Sequence, residues 1–216
     1  DLPSEKNGLI PSSAYYRKKL NTNNWHTCNI ISNSIGQGEV LVTITQLANV
    51  MATIANDGYY YTPHLIDSIE GGDHDHILDK YKRKNHVKEV PDSVFEIVKD
   101  GMQGVMQPGG TGYRSRIEGI TVCAKTGTVE NYDKGGKQKD HSFFGAFAPR
   151  ENPKIAIAVM CENAGFGGTV AAPIATLLIE KYLNDSLSKE KQKEEERMTN
   201  MKCIPKLMQE IGRAHV

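Results

Sequence analysis

The sequence carries no excess charge of either sign: 26 Lys and Arg are balanced by 26 Asp and Glu, for a formal net charge of zero. Without a basic surplus to hold phosphates, nucleic acid is excluded as the main partner. Long apolar runs are missing as well. No stretch approaches the roughly 20 apolar residues of a membrane-spanning helix, and no signal-peptide pattern opens the chain. The first residues, "DLPSEKNGLIPSSAYY", carry no initiator methionine and read as the interior of a domain, so the lack of a targeting segment fixes no compartment. Cysteine is sparse. Cys28, Cys123, Cys161 and Cys203 lie far apart and form no C-x-x-C pair, which removes the zinc-knuckle and dithiol redox classes. Cys123 and Cys161 sit in apolar runs, where cysteine is usually a small buried hydrophobe.

What is present is a chain of 216 residues with 20 Gly and 9 Pro, long enough for one domain or one and a half, and rich in turns. Residues 1–38 read as polar and loop-rich. They close in "SIGQG", whose glycines predict a tight turn before a helix. Over 40–56, Leu47, Val50, Met51, Ile54 and Ala55 recur at helical spacing, with Thr43 or Thr45 to cap the start and Gly58 past the end. "YYYTPHLIDSI" is aromatic and β-branched and predicts a short strand. The polar "EGGDHDHILDKYKRKN" contains Asp73, His74, Asp75 and His76. Alternate residues of a strand face opposite ways, so these four cannot converge on one ion; they read as a solvated loop, with no metal and no cofactor implied.

Pro91 and Asp92 open a helix with Val94, Phe95, Ile97, Val98, Met102 and Val105 as its apolar face. "QPGGTGYRS" then breaks the chain. Strands are predicted at 120–128, 142–148 and 154–161, the last two joined by "PRENP" as an antiparallel hairpin. "GFGGT" leads into a helix over 170–183 carrying Ile174, Leu177, Leu178 and Tyr182. The fold class is α+β, an antiparallel sheet with helices packed on it. Residues 1–184 form this domain. Residues 185–210 are a charged tail, disordered or helical, with no apolar periodicity to dock it.

The chemistry concentrates at Lys125, Thr126, Gly127 and Thr128. An ammonium, two hydroxyl donors and a residue without a side chain, near a strand end, suit an extended peptide ending in a carboxylate. On these residues alone, an exposed strand lysine followed by a turn fits as well.

The context resembles one family. "AKTGT" is similar to the K-S/T-G box of the penicillin-binding protein and serine β-lactamase superfamily. "SIGQGEVLVTITQLANVMATIANDGYYYTPHLI" resembles the segment of class B penicillin-binding proteins between their second and third motifs. "GMQGVMQPGGTGYRSRIEGITVCAKTGT" resembles the run into the third, and "HSFFGAFAPRENPKIAIAVMCEN" the two strands after it. "GLIPSSAYY" resembles the elongation type, penicillin-binding protein 2. The resemblance implies an α/β/α-like sandwich, incomplete on its N-terminal side. It implies peptidoglycan cross-linking, in which a serine attacks a stem peptide's D-Ala-D-Ala end and an amine resolves the acyl-enzyme. β-Lactams acylate the same serine. By motif match, Lys125 is the catalytic residue, helping to position the substrate and polarise a hydroxyl of the second motif. Thr126 and Thr128 bind the terminal carboxylate, Gly127 leaves the strand edge open, and the Thr128 N–H belongs to the oxyanion hole. The implied partners are peptidoglycan stem peptides, β-lactam antibiotics, a glycosyltransferase and elongation-complex proteins. The implied location is the inner membrane, on its periplasmic side.

Two of the family's three catalytic motifs have no match in the expected place. S-x-x-K, the nucleophile with its base, occurs only as Ser186 with Lys189 and Ser188 with Lys191. Both lie in the charged tail after the third motif, where an exposed, fully charged lysine cannot act as a base. S-x-N occurs nowhere; Ser32-Asn33-Ser34 has the letters without the spacing. The nucleophile is therefore expected upstream of residue 1, and these residues alone are expected to be inactive. A non-catalytic β-lactam sensor or scaffold of the same fold is the alternative. A β-lactamase or D,D-carboxypeptidase fits the flanking segments less well. "EIGRAHV", reverse translated, matches a widely used sequencing adapter, so residues 211–216 are expected to be read-through.

Overall fold

The computed structural model describes residues 5–21, 27–36, 38–72, 76–133 and 136–201. The organising element is an antiparallel sheet of β3 (Cys123–Val129), β6 (His141–Ala148) and β7 (Ile155–Cys161), in the order β3-β6-β7. The register pairs Lys125 with Gly145, Thr126 with Phe144 and Gly127 with Phe143, and on the other side Phe144 with Val159. All three strands and the hairpin follow the sequence reading closely. β6 is buried almost throughout, because it is the central strand and is covered on both faces.

One face packs on α6 (Ala171–Asn184). Ala124, Phe144, Ala146 and Ala148 meet Ala171, Ala172, Ala175 and Ile179 there. Small residues let the helix approach the sheet closely. This corrects the expected face: Leu178 and Tyr182 are exposed, and an alanine stripe meets the sheet instead.

The other face packs on α3 (Ile44–Ala55) and α5 (Asp92–Gly104). Met51, Ala55, Met102, Cys123 and Phe147 form that core. Thr43 caps α3 in a full capping box with Gln46. α5 buries Phe95, Lys99 and Met102, whereas Ile97 is 69% exposed and belongs to no core. Lys99 ties α5 to the turn after α3 through Asp57 at 2.6 Å. Helix, sheet and helix thus form the expected sandwich.

Burial pushes the Cys123 thiol up to about 11. Thiolate is the reactive form, so iodoacetamide at pH 8 should leave Cys123 unmodified under conditions that alkylate the exposed Cys28. Peptide mass mapping should find Cys123 labelled only after denaturation.

The first segment is more ordered than its composition suggests. α1 (Ser13–Leu20) is capped by Ser12, and α2 (Thr27–Ser34) follows. They meet at the buried Tyr16, whose hydroxyl donates to Glu39 at 2.8 Å and accepts from Asn33 Nδ2 at 2.6 Å. A polar cluster, not an apolar stripe, joins these helices. The strand expected after α3 shrinks to β1 (Tyr59–Tyr60). Beyond it, residues 61–72 are exposed and lie outside the described strands. Its partner β2 (Asn85–His86) and the short helix α4 (Asp79–Lys82) interrupt what reads as a polar loop. Asp73, His74 and Asp75 lie outside the described residues, and His76 pairs with Asp79 at 3.1 Å. β4 (Tyr132–Asp133) and β5 (Gly136–Lys137) form a small hairpin between β3 and β6.

The charged tail corrects a second expectation. α7 (Lys189–Thr199) docks on α6 without any apolar stripe. Lys191 is buried, and its ammonium donates to the Ser115 carbonyl at 3.0 Å, the Thr176 hydroxyl at 2.9 Å and Glu194 at 2.7 Å. Ser188 caps the helix and donates to the buried Glu180. Lys191 is therefore not the exposed residue its surroundings suggest. It still does not pair with the Ser188 hydroxyl, which donates to Glu180 instead. Residues 211–216, with the rest beyond 201, lie outside the described residues. Among the described residues, no helix is long and apolar enough to cross a membrane.

Candidate functional site

Lys125, Thr126, Gly127 and Thr128 all fall on β3, and β3 is an edge strand: β6 pairs with one side, and no described strand pairs with the other. An unpaired edge offers backbone N–H and C=O groups to an extended ligand. Strand alternation then sorts the side chains. Thr126 and Thr128 share the α6 face, opposite Phe144 and Ser142. Lys125 and Gly127 share the α3 face, where Gly145, the partner of Lys125, lies against Met51.

Lys125 is exposed, and its ammonium donates to the Thr126 carbonyl at 2.5 Å. Thr126 and Thr128 are half-buried. The Thr126 hydroxyl lies 2.8 Å from the Thr111 hydroxyl. The Thr128 hydroxyl accepts from the Gly167 N–H at 3.5 Å, which leaves its own proton free to donate.

Gly127 has a packing reason beyond an open edge. A Cβ there would stand 3.0 Å from the Phe143 ring. On the opposite face, a Cβ on Gly167 would come within 2.4 Å of the Gly127 carbonyl oxygen and 2.3 Å of the Phe143 carbonyl oxygen. The "GFGGT" loop therefore lies directly on the strand that carries the box. Ser142 fastens it: its hydroxyl donates to the Phe166 carbonyl and accepts from the Ala171 N–H at the start of α6.

Farther along the strand, Asn131 donates to Asn163 at 2.5 Å, and His141 Nδ1 accepts the Asn163 N–H at 3.0 Å. These contacts hold the β4–β5 excursion to the loop after β7. At its rim Lys137 pairs with Glu130 at 3.2 Å, and that carboxylate holds the ammonium above the ordinary lysine range.

Sequence reasoning missed Thr111, Phe143 and Gly167. The signal available for Gly167 was the doubled glycine in "GFGGT". Nothing in the spacing points to Thr111. Among the described residues, no cluster of His, Cys, Asp and Glu could hold a metal ion.

Three comparisons bear on this arrangement. The family described as Transpeptidase, the penicillin binding protein transpeptidase domain, matches residues 1–180. The chain is 32% identical over 196 residues to the peptidoglycan D,D-transpeptidase MrdA of Salmonella typhimurium (strain SL1344), covering 83% of this chain and 31% of that protein. The crystal structure of Pseudomonas aeruginosa PBP2 in complex with WCK 5153 superposes with a TM-score of 0.72 at 31% identity, over 88% of this chain and 42% of that one. PBP2 of Helicobacter pylori, solved in complex with MreC, gives a TM-score of 0.68 at 25% identity, over 85% of this chain and 32% of that one. The chain spans about a third of the length of the curated relative. Since the family match takes in the whole sheet, the residues around Lys125 and the helices on its α3 face, the chain belongs to the penicillin-binding protein transpeptidase family.

Proposed function

We propose that this chain is the ligand-gripping part of a peptidoglycan D,D-transpeptidase of the elongation type, whose nucleophilic serine lies outside these residues. The observation that carries the reading is the free edge of β3 with its ammonium and paired hydroxyls. A stem peptide lies along that edge and makes main-chain hydrogen bonds to it. Its terminal carboxylate accepts from the Thr126 and Thr128 hydroxyls. Lys125, on the other face of the strand, turns toward the attacking serine and its neighbours, and stabilises charge as the acyl bond forms. The Thr128 N–H receives the oxyanion. A β-lactam fits the same site because its carboxylate stands in for that of the peptide.

The domain consists of residues 1–184, with α7 and the residues after it as an appended tail. The complete protein sits at the inner membrane with this domain on the periplasmic side. It works with a glycosyltransferase and with elongation proteins; the Helicobacter pylori relative solved with MreC supports a partner of that kind.

Fluorescent penicillin tests the proposal. The 216-residue chain should form no covalent adduct, because it has no S-x-x-K serine facing β3. The full-length protein should form one adduct, on a serine upstream of this chain. A stable adduct on the 216-residue chain contradicts the proposal. A full-length protein that is acylated but cross-links no peptidoglycan favours the sensor reading.

A further inference from the structure

The segment just before β3 contains one side chain that the reaction scheme above leaves unused. Thr111 stands between Gly110 and Gly112 in "PGGTG". A Cβ at Gly110 would fall 2.2 Å from the Val105 carbonyl oxygen, and one at Gly112 would have to displace the Met106 sulfur, 2.7 Å away. The Thr111 carbonyl is itself covered, since a Cβ on Gly168 would lie 2.4 Å from it. The turn is wedged between the end of α5 and the loop that lies on β3. It closes with hydrogen bonds from Gly110 N–H to the Gln107 carbonyl at 2.8 Å and from Gly112 N–H to the Val105 carbonyl at 2.9 Å. Lys191 pins the next residues through the Ser115 carbonyl. A backbone so tightly enclosed presents the one side chain between the two glycines in a fixed position. That side chain reaches the Thr126 hydroxyl at 2.8 Å, and Thr111 is exposed where it does so.

We propose that Thr111 is a positioning residue for the ligand carboxylate, its hydroxyl donating to the Thr126 oxygen so that the Thr126 proton points out to the bound acid. This rests on the reading that Thr126 meets that carboxylate. A hydroxyl both donates and accepts, and a donor feeding Thr126 fixes which way its proton turns. Such a chain of two hydroxyls strengthens the outer hydrogen bond. The loop thereby contributes to selectivity for ligands that carry a free acid.

The test uses full-length protein and two probes: benzylpenicillin and its methyl ester, which lacks the negative charge. Thr111→Val removes the hydroxyl and keeps the shape; Thr111→Ser keeps the hydroxyl. With benzylpenicillin, Thr111→Val should lower the second-order acylation rate about tenfold, the scale of one hydrogen bond to a charged group. Thr111→Ser should stay within about twofold of the parent. With the methyl ester, the two variants and the parent should react at similar rates. An unchanged rate for Thr111→Val with benzylpenicillin overturns the proposal. So does an equal loss on acid and ester, which assigns Thr111 to loop structure alone. A parent that prefers the acid no more than the ester is a different failure, and it removes the carboxylate reading of Thr126 itself.

Discussion

Replacing Lys125 with alanine in the full-length protein should slow acylation by benzylpenicillin about 10²- to 10³-fold, the cost of removing one preorganised charge or donor from a site of developing negative charge. The fold should be untouched. Lys125 is exposed and bonds only its own neighbour's carbonyl among the contacts described, so truncation leaves no buried group unsatisfied. The melting temperature should move by no more than a degree or two. That separation makes the variant informative. Lys125→Arg keeps the charge, but a planar guanidinium cannot take the place of a compact ammonium, and its rate should recover only in part. Stopped-flow acylation read together with thermal melting checks both halves.

Replacing Lys191 with alanine should do the reverse, costing about 3 kcal/mol of stability while leaving every group on β3 in place. Its side chain is 7% exposed and that of Glu194 is 19% exposed. Removing the ammonium leaves the Thr176 hydroxyl and the Ser115 carbonyl short of a donor, and leaves Glu194 only its longer pair with Arg197 at 3.5 Å. Breaking one side of a buried pair is costly for that reason. Lys191→Met fills the same space but supplies no donor, so it should recover only part of the loss. Urea denaturation gives the energy. Hydrogen exchange gives the location, and protection should fall first along α7 and at residues 113–116. If Lys191→Ala is as stable as the parent, α7 does not dock through this network.

These two lysines show what the sequence displays and what it hides. The placement of Lys125 on a strand was legible because its neighbours Thr126, Gly127 and Thr128 form a pattern within one strand, and the flanking strands announce themselves by apolar runs and turn residues. The hairpin of β6 and β7 was legible because Arg150 and Pro153 stand in a link too short for anything else. Lys191 was illegible because a search for docking looks for apolar periodicity, and α7 docks through an ammonium that meets the Thr176 hydroxyl on α6 and the Ser115 carbonyl. α6 misled in a related way. Leu178 and Tyr182 look like core residues, yet the sheet admits Ala171, Ala172 and Ala175 because a close approach favours small side chains. Tyr16 drew α1 and α2 together through its hydroxyl, which donates to the Glu39 carboxylate and accepts from the Asn33 amide, contacts that no periodicity records. Thr111 could not be read at all. Its contact with Thr126 spans 15 residues and exists only because glycines let the turn fold against β3.

The most direct measurement is a crystal structure of the full-length protein acylated by benzylpenicillin. The account predicts the drug's carboxylate within hydrogen-bond distance of the Thr126 and Thr128 hydroxyls, and its acyl carbon on a serine upstream of this chain that faces Lys125. A carboxylate bound away from β3, or an acyl group on any residue between 5 and 201, contradicts it.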